Sequence, residues 1–392
     1  MTLLDYVISI YCIIFCVIWC ILSIQRIYLI FRISLLEKED PPTPAKWPKL
    51  SVVIAACNES DTIEAAISTL LEQKYPELEI ILINDRSKDK TGKIIDDIAE
   101  KDGRVKSFHV KDLPPGWLGK VYALNLGTQS STGDWILYTD ADVHFRQDTI
   151  RKAMALALSK KIHHLTLVPK LETSSIIQEI IVLAFGALFI QGTRAPEVSN
   201  PKSKAFVGTG AFNLVKKTAL EKTEGFSWLR MEAADDVGLG LMLRRSGAKS
   251  LFIVSINDIS LNWYPSVKSM FKGLEKNIFG AATQYSFIKM IYIFALFWLL
   301  FLSPFVAITF KKVSYLWIFG LAPLIFVVIE ALVNKLKFRQ RFISLLSIPL
   351  GQLVISLMLL HSGIMCKLQG GITWRGTKYS IHDLRAGQRV KL

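Results

Sequence analysis

The sequence is poor in cysteine, and this scarcity excludes several kinds of site. Only 5 of the 392 residues are cysteine. Cys12, Cys16 and Cys20 would share one face of a helix, while Cys57 and Cys366 stand alone. No metal-binding or disulfide spacing is present, so we expect these residues to be small apolar fillers in a reducing compartment. Nucleic-acid motifs, internal repeats and low-complexity tracts are also missing. We therefore expect no nucleic-acid partner, and no obligate protein partner is evident.

Charged residues are absent from four long apolar stretches, although 51% of the whole chain is hydrophobic. Such an absence is typical of membrane spans, which need about 20 apolar residues. The stretches cover residues 6–24, 290–310, 313–329 and 342–366. The start of the chain lacks the basic residues and the small-residue cleavage site of a signal peptide. We therefore expect residues 1–35 to be an N-terminal transmembrane anchor.

Lysine and arginine flank these stretches unevenly, and the asymmetry predicts an orientation. Cytoplasmic flanks of membrane spans are enriched in Lys and Arg. Such residues follow the first and third stretches, so we expect a cytoplasmic globular domain over residues 45–280. If the protein is bacterial, the membrane is the plasma membrane. The net charge of +14 suits a surface that faces anionic lipid and binds anionic substrates.

The C-terminal stretches, over residues 286–366, are harder to orient because basic residues flank the last one on both sides. A single crossing would place the basic tail, residues 367–392, outside the cell. We expect transmembrane and re-entrant helices here, because Pro349, Gly351 and Gln352 predict a break of the last stretch into a re-entrant or interfacial hairpin, with a cytoplasmic tail. Residues 174–191 are apolar but short for a span, and we expect an interfacial helix there.

Between the anchor and the later spans, strand patterns alternate with helix patterns. The strand patterns cover residues 50–55, 78–83, 105–110 and 135–139. This alternation predicts an α/β domain with a Rossmann-like, mostly parallel sheet. Ligands of such sheets bind beyond the carboxyl ends of the strands. Asp85 and Asp140 stand at two of these ends, so the sequence predicts a ligand crevice there.

Two pairs of acidic residues are the strongest candidates for chemistry. Asp140 and Asp142 follow a strand and point to the same side, because side chains alternate along a strand. Their oxygen atoms suit Mg²⁺ or Mn²⁺, which keeps positions open for substrate phosphates. His144 continues the alternation and is a candidate third ligand, although a lone histidine beside a site is more often structural. Asp235 and Asp236 open a helix, where the helix dipole favours carboxylates.

Six segments in this order resemble those of a family 2 glycosyltransferase with a GT-A nucleotide-sugar-binding domain. They are residues 53–59, 83–91, 116–125, 132–135, 140–142 and 235–237. The resemblance covers about residues 49–280. With apolar spans at both ends, the chain is similar to the membrane-bound members that include ceramide glucosyltransferases and the hopanoid- and carotenoid-associated glycosyltransferases.

The resemblance implies a nucleotide-sugar donor, with a UDP-sugar favoured, and assigns residues to it. Asp85 would hold the base or the ribose, with Glu59 nearby. Asp140 and Asp142 would bind the nucleotide and the Mg²⁺ or Mn²⁺ on its diphosphate. Lys120 could add positive charge at the phosphates, although a solvated surface lysine is an equally good interpretation.

The resemblance also implies a general base and an acceptor. Asp236 would remove the proton of the acceptor hydroxyl in a single inverting displacement. Asp235 stands where relatives carry glutamate and would bind the nucleotide-sugar. The Q-x-x-R-W signature of processive synthases is missing. The corresponding region contains Lys276, similar to a lysine-asparagine motif of the lipid-glycosylating members. Trp374 and Arg375 resemble a tryptophan-arginine-glycine element of relatives, and Arg375 could reach the diphosphate or the acceptor.

The sequence therefore predicts metal-dependent transfer of one sugar to the hydroxyl of a membrane lipid. A polyprenyl-phosphate glycosyltransferase is the alternative, because a phosphate acceptor would need less help from Asp236. A processive polysaccharide synthase is disfavoured by the missing signature. A transporter with a regulatory domain would carry ionisable residues inside its spans. Only Glu330 and His361 lie near the spans. The identities of sugar, nucleotide and lipid stay open.

Overall fold

The computed structural model describes residues 2–391. Its helices, in chain order, are α1 (Leu3–Arg32), α2 (Ile63–Leu71), α3 (Thr91–Lys101), α4 (Gly119–Ser130), α5 (Thr149–Ser159), α6 (Ile176–Thr193), α7 (Lys217–Leu220), α8 (Asp235–Arg245), α9 (Val267–Leu274), α10 (Ile278–Thr283), α11 (Phe287–Thr309), α12 (Leu316–Phe338), α13 (Phe342–Leu346), α14 (Ile348–Gln369) and α15 (Ile381–Gly387). Its strands are β1 (Ser34–Leu35), β2 (Leu50–Ala56), β3 (Leu78–Asp85), β4 (Val105–Val110), β5 (Trp135–Tyr138), β6 (His144–Phe145), β7 (His164–Val168), β8 (Lys170–Leu171), β9 (Asn213–Lys216), β10 (Ser250–Val254), β11 (Ile259–Leu261), β12 (Gly371–Trp374) and β13 (Thr377–Ser380).

These elements form two compact units. The helical unit consists of residues 2–32, Thr173–Arg194 and Tyr264–Gln369. The globular unit consists of Ile33–Glu172, Ala195–Trp263 and residues 370–391. The bounds of these units differ from those expected from the sequence. Residues 173–194 and 264–280 belong to the helical unit, and residues 33–44 and 370–391 belong to the globular unit.

An eight-stranded sheet forms the centre of the globular unit, with strand order β1-β10-β7-β9-β5-β2-β3-β4. The α/β class and the mostly parallel sheet predicted from the sequence are confirmed. Strand β9 is the exception, since it runs antiparallel to both β5 and β7. Strands β6, β11 and β8 form a second, three-stranded sheet, and β12 pairs with β13 as an antiparallel hairpin.

The core of the globular unit lies on both faces of the central sheet. Every residue of β3 is buried, as are nearly all residues of β2. Both strands are rich in isoleucine, leucine and valine, because a parallel strand covered on two faces has no solvent-facing side. Burying each large aliphatic side chain contributes about 1.5–3 kcal/mol. The polar ends of these strands are thereby held on a rigid support.

Five helices over residues 2–391 are long and apolar enough to cross a membrane, judged by length and composition: α1, α6, α11, α12 and α14. Four of them correspond to the apolar stretches of the sequence, and α6 is the predicted interfacial helix. Whether α6 lies at the interface stays a prediction.

A buried ion pair joins two of the long helices within the helical unit. Arg26 of α1 donates to Glu330 of α12 at 2.9 Å, and its guanidinium also donates to Ser23 and Gln191. Removing either charged partner of such a pair is strongly destabilising, because the other is left buried alone. The ion pair with Arg26 therefore gives Glu330, an acidic residue in an apolar helix, a structural role.

The predicted break in the last apolar stretch lies earlier than expected. Helix α14 runs without interruption through Pro349 and Gly351. The break falls at Ser347, between α13 and α14. Pro349 is tolerated because it stands in the first turn of α14, where a backbone N–H has no helical acceptor. Gly351 is needed at its position, since a Cβ there would lie 2.7 Å from the Ala184 side chain.

Candidate functional site

The candidate site begins with acidic residues at the carboxyl edge of the central sheet. Strands β3 and β5 both run parallel to β2, so their carboxyl ends meet at one edge. Asp85 is the last residue of β3. Asp140 and Asp142 follow β5. The position of Asp140 is fixed by its neighbour Thr139, whose hydroxyl donates to the Ala211 carbonyl at 2.7 Å.

A second pair of acids enters from helix α8. Asp235 and Asp236 form its first turn, where the helix dipole stabilises negative charge. The Asp236 carboxylate accepts from the Val237 N–H at 2.8 Å. Two glycines allow the backbone of residues 208–210 to approach the acidic residues closely. A Cβ at Gly208 would lie 1.8 Å from the Asp236 carbonyl oxygen, and one at Gly210 would lie 2.2 Å from the Asp140 carboxylate.

Lys120 joins the two acidic pairs. Its ammonium group lies 2.7 Å from Asp140 and 3.6 Å from Asp235. Burial by itself would lower the pKa of Lys120, but Asp140, Asp235 and Asp236 together outweigh burial and raise it. The lysine is therefore firmly protonated and neutralises part of the acidic cluster. The alternative interpretation of Lys120, as a solvated surface lysine, does not describe this environment.

Carboxyl groups of the acidic cluster remain difficult to ionise despite Lys120. Burial, reinforced by Asp140 and Glu59, raises the pKa of Asp142 to about 7. Burial also raises the pKa of Asp235 to about 7, with Lys120 opposing the rise and Asp236 adding to it. A cation placed against these groups would favour their charged forms. The cluster therefore has the electrostatics of a site that gains from binding positive charge.

The donor atoms of the acidic cluster suit a divalent metal that also binds a ligand. Among residues 2–391 no group of three or more His, Cys, Asp and Glu side chains could hold a metal by itself. Mg²⁺ commonly takes one or two protein carboxylates and completes its shell with water and substrate phosphates. Asp140 and Asp142 fit that arrangement. His144 lies in β6, paired with β11, and its role as a third ligand stays a prediction.

Lys120, Asp140 and the acidic pair of α8 line a pocket of about 280 Å³, part of which is open to solvent, whereas Asp85, Asp142 and His144 are not among its lining residues. Its polar lining includes Lys120, Asp140, Asp235, Asp236 and Asn213, and its apolar lining includes Leu124, Tyr138, Phe226 and Leu239. The pocket combines a few converging polar groups with apolar walls, as small-molecule sites usually do.

Asn213 and its support were not found by sequence reasoning. The buried ring of His164 hydrogen-bonds to Asn213 at 3.1 Å and to Ser250 at 3.2 Å. Burial lowers the pKa of His164 to about 4, so the ring is neutral at physiological pH. A neutral ring suits the two hydrogen bonds to Asn213 and Ser250, because both of these partners are uncharged. No local sequence signal marks the cluster, since its residues come from three strands.

The remaining candidate residues for the nucleotide carry arginine partners. Arg86 binds the Asp85 carboxylate at 2.7 Å and donates to the Thr377 hydroxyl at 3.3 Å. Arg375 forms an ion pair with Glu59. Burial raises the pKa of Glu59, and Arg375 opposes that rise. Arg86 was missed, although its position directly after Asp85 was a usable signal.

Arg375 reaches Glu59 because of the hairpin formed by β12 and β13. Arg375 and Gly376 make its two-residue turn, and both have positive φ angles of 49° and 82°. Such a turn matches the twist of the flanking strands. Trp374 precedes the turn and pairs with Thr377 across the hairpin. Lys276 lies between α9 and α10 in the helical unit, and its role stays a prediction.

The comparisons with known proteins agree with this geometry. Residues 51–175 match the model of Glycosyl transferase family 2. The chain carries a family 2 glycosyltransferase domain. The matched residues include Glu59, Asp85, Lys120, Asp140 and Asp142. The narrower resemblance to lipid-glycosylating members stays a prediction.

Curated relatives of this glycosyltransferase domain match only part of the chain. An uncharacterized glycosyltransferase of Haemophilus influenzae is 33% identical over 111 residues, which make up 28% of this chain and 43% of the relative. Probable glycosyltransferase YdaM of Bacillus subtilis is 41% identical over 97 residues, or 24% of this chain and 23% of the relative. Poly-beta-1,6-N-acetyl-D-glucosamine synthase of Staphylococcus epidermidis is 29% identical over 174 residues, or 44% and 40%. The chain spans less than half the length of these relatives.

A solved structure matches almost the whole chain. The mannosyltransferase PcManGT from Pyrobaculum calidifontis, in complex with GDP-Man and Mn²⁺, has a TM-score of 0.56 and 15% identity. The match covers 92% of this chain and 99% of that one. At this identity the likeness shows the fold, and it confirms the GT-A architecture predicted for the domain.

Proposed function

We propose that the protein is a membrane-integrated glycosyltransferase that transfers a single sugar, with inversion, from a nucleotide-sugar to the hydroxyl of a membrane lipid. One observation carries the proposal. Lys120 and Asp140, which lie in the segment that matches Glycosyl transferase family 2, converge in one pocket with Asp235 and Asp236. A UDP-sugar is the favoured donor. GDP-mannose is the second donor to test, because the structural neighbour was solved with GDP-Man and Mn²⁺.

The donor end of the reaction uses charge to hold an anionic leaving group. Asp85 and Glu59 would contact the nucleoside, and Lys120 would approach the diphosphate. Asp140 and Asp142 would hold Mg²⁺ or Mn²⁺, which supplies Lewis-acid neutralisation of the leaving diphosphate. In return, the added positive charge would favour the ionised form of Asp142.

The acceptor end depends on Asp236 as general base. Burial raises the pKa of Asp236, and a carboxylate with a raised pKa accepts a proton more readily than an exposed one. Lys120 opposes the rise and so supports the ionised form that a base requires. A correctly placed base contributes roughly 10²–10⁴-fold to the rate. A single displacement inverts the anomeric centre, so no covalent nucleophile is needed.

The Lys and Arg residues that flank the apolar stretches favour a cytoplasmic globular unit. The division into two units favours two long helices, α6 and α14, that do not cross the membrane. The residues on both sides of α6, Glu172 and Ala195, belong to the globular unit. A single crossing by α6 would divide one folded unit between two sides of the membrane. If α11 and α12 cross as a pair, the same reasoning applies to α14, which is followed by the globular residues 370–391. We therefore propose that α6 and α14 are interfacial or re-entrant.

A processive polysaccharide synthase is the second candidate, because the Staphylococcus epidermidis relative carries that name. The missing Q-x-x-R-W signature argues against it. Product size separates the two functions. A lipid acceptor yields a product with one added sugar, whereas a synthase yields a ladder or a high-molecular-weight product.

The test uses the purified full-length protein in phospholipid nanodiscs with a total lipid extract. Radiolabelled UDP-glucose, UDP-N-acetylglucosamine and GDP-mannose are supplied in turn with Mn²⁺ or Mg²⁺. We expect one donor to label a lipid, and the label to disappear with EDTA. Asp140→Ala and Asp236→Asn should each lose transfer. Asp148→Asn changes an exposed aspartate at the start of α5 and should retain it.

Each part of the proposal has its own contradicting result. Transfer that survives in Asp236→Asn would contradict the general base and favour a phosphate acceptor. Transfer that survives EDTA would contradict metal dependence. Label in a long polymer instead of a lipid would contradict single-sugar transfer. A reporter fused after residue 391 that responds only outside the cell would contradict the cytoplasmic placement.

A further inference from the structure

Glu232 is a buried acid for which the transfer reaction has no use. It is 3% exposed and stands just before the acidic pair of α8. Its side chain accepts hydrogen bonds from three backbone N–H groups. Ala234 donates at 3.0 Å to one carboxylate oxygen, and Arg389 and Val390 donate at 2.6 Å and 2.9 Å to the other. Three backbone hydrogen bonds to one buried carboxylate indicate that Glu232 has a structural role.

These hydrogen bonds join the start of α8 to the end of the chain. Ala234 is the residue from which α8 begins, so one oxygen of Glu232 holds the backbone directly before Asp235 and Asp236. The other oxygen holds residues 387–391, which we call the C-terminal strap. Alanine has no side chain that can cap a helix. Glu232 instead binds the backbone at this position, and Asp236 itself accepts backbone hydrogen bonds from Val237 and Gly210.

The C-terminal strap is packed rather than loosely attached. Val390 is fully buried, and a Cβ at Gly387 would lie 2.2 Å from the Met231 side chain. Arg389 donates to the Trp228 carbonyl at 3.1 Å, and its guanidinium lies 5.4 Å from the centre of the Trp228 ring. Arg245, in the last turn of α8, lies 5.2 Å from the same ring. The strap thus contacts the segment that precedes α8, and that segment also contacts the end of α8.

The same segment is tied to the helix that carries Lys120. The Leu118 N–H donates to the Arg230 carbonyl at 2.7 Å, directly before α4 begins. Lys120 lies in the first turn of α4. Residues 228–234 therefore link three elements: the strap, the start of α4 and the start of α8. A shift of this segment would change the distance between Lys120 and the two acids.

We propose that Glu232 is a positioning residue that holds Asp236 in register with Lys120 by binding Ala234 and the C-terminal strap. This inference rests on the proposed function, in which Asp236 is the base. A base displaced by about 1 Å can lose up to about 100-fold in rate, because proton transfer needs close approach. Most residues assigned to the donor follow β2, β3 and β5 and lie outside residues 228–234, whereas Lys120 is tied to that segment. The expected signature is therefore a fall in kcat that is larger than any rise in donor KM.

The first experiment compares Glu232→Gln and Glu232→Ala with wild-type protein in nanodiscs. Hydrogen exchange is followed by mass spectrometry without ligand, and kinetics use the donor that labels lipid with wild-type protein. We expect faster exchange in peptides covering residues 228–245 and 385–391. We also expect kcat to fall by about 10- to 100-fold in Glu232→Ala and by less in Glu232→Gln, which keeps one carbonyl acceptor. Glu224→Gln, an exposed acid of the same region, is the matched control and should behave as wild type.

A second pair of variants tests the link from the strap, in case Glu232→Ala does not fold. Arg389→Ala removes only the side chain, whereas Arg389→Pro also removes the N–H that binds Glu232. The preceding residue, Gln388, has φ −66° and ψ 127°, which a residue before proline adopts without strain. We expect a lower kcat in Arg389→Pro than in Arg389→Ala, with any difference in donor KM smaller than the difference in kcat.

The outcomes separate this inference from the proposed function. Faster exchange at residues 228–245 together with wild-type kcat would overturn the positioning role. A fall in kcat that accompanies an equal rise in donor KM, or equal kcat values in the two Arg389 variants, would also overturn it. If wild-type protein transfers no sugar, the proposed function fails. Exchange that is unchanged by the Glu232 variants would show separately that Glu232 does not hold these segments.

Discussion

Replacement of Lys120 by methionine should destabilise the protein in a manner that depends on pH. Methionine keeps an unbranched apolar side chain but removes the charge that lies 2.7 Å from Asp140 and 3.6 Å from Asp235. Removing one partner of a buried pair costs roughly 3–5 kcal/mol, because the remaining charge is left uncompensated. The Asp140 side chain is 37% exposed, so solvent screens part of its interaction. We therefore expect a loss of about 3 kcal/mol at pH 8.

The loss should shrink as the pH falls. Without Lys120, the pKa values of Asp235 and Asp236 in the folded state should rise further above the value of about 4 in the unfolded state. A carboxyl group with a raised folded-state pKa favours folding at low pH, and this contribution is lost as the pH rises through the folded pKa. At pH 5 the acids can protonate instead of repelling one another. We therefore expect the variant to approach wild-type stability there.

Thermal unfolding of the full-length protein in nanodiscs, followed between pH 5 and pH 8, measures this effect. A loss of 1 kcal/mol lowers Tm by about 2–4 °C in a domain of 150–250 residues. The expected shift at pH 8 is therefore roughly 6–12 °C. Lys120→Arg should retain most of the stability because it keeps the charge. Lys93→Met, which removes an exposed lysine of α3, should change little. A Tm shift of the same size at pH 5 and pH 8 would refute the electrostatic argument, as would no shift at either pH.

Two further predictions concern the walls of the site. Gly208→Ala should abolish transfer or prevent folding, because its Cβ would lie 1.8 Å from the Asp236 carbonyl oxygen. Gly103→Ala has no atom within 4 Å of its Cβ and should leave transfer and Tm unchanged. Wild-type transfer in Gly208→Ala would contradict the close approach. Arg375→Ala should raise the donor KM more than it lowers kcat, because Glu59 loses the partner that opposes the rise of its pKa. A titration of donor concentration at pH 6.5 and 8 measures this, and equal KM values for variant and wild type would count against it.

Much of the fold could be predicted from local patterns. The apolar runs of β2, β3 and β5, the alternation of strands with helices, and the acidic strand ends all depend on residues close together in the chain. The long uncharged stretches likewise predicted four of the long helices. Such features are decided by side-chain polarity and strand or helix period, which short segments carry by themselves.

Other features of the site could not be read from any short segment. Strand β9 is inserted antiparallel between β5 and β7, which strand order along the chain does not show. The ion pair of Lys120 with Asp140, and the His164 cluster behind Asn213, join residues from different elements. The role of the buried Glu232 was also not predicted, because two of its three hydrogen-bond donors, Arg389 and Val390, lie at the far end of the chain.

The sequence by itself determined a family 2 glycosyltransferase domain with acidic residues at the ends of parallel strands, together with long apolar helices. These properties follow from hydrophobic pattern and from motifs that are each a few residues long. Only the tertiary structure decided that residues 370–391 fold with the globular unit. It also brought Arg375 to Glu59 across 316 positions of the chain. Contacts over such separations depend on how the helices and strands pack together, and the polarity of a short segment does not determine that packing.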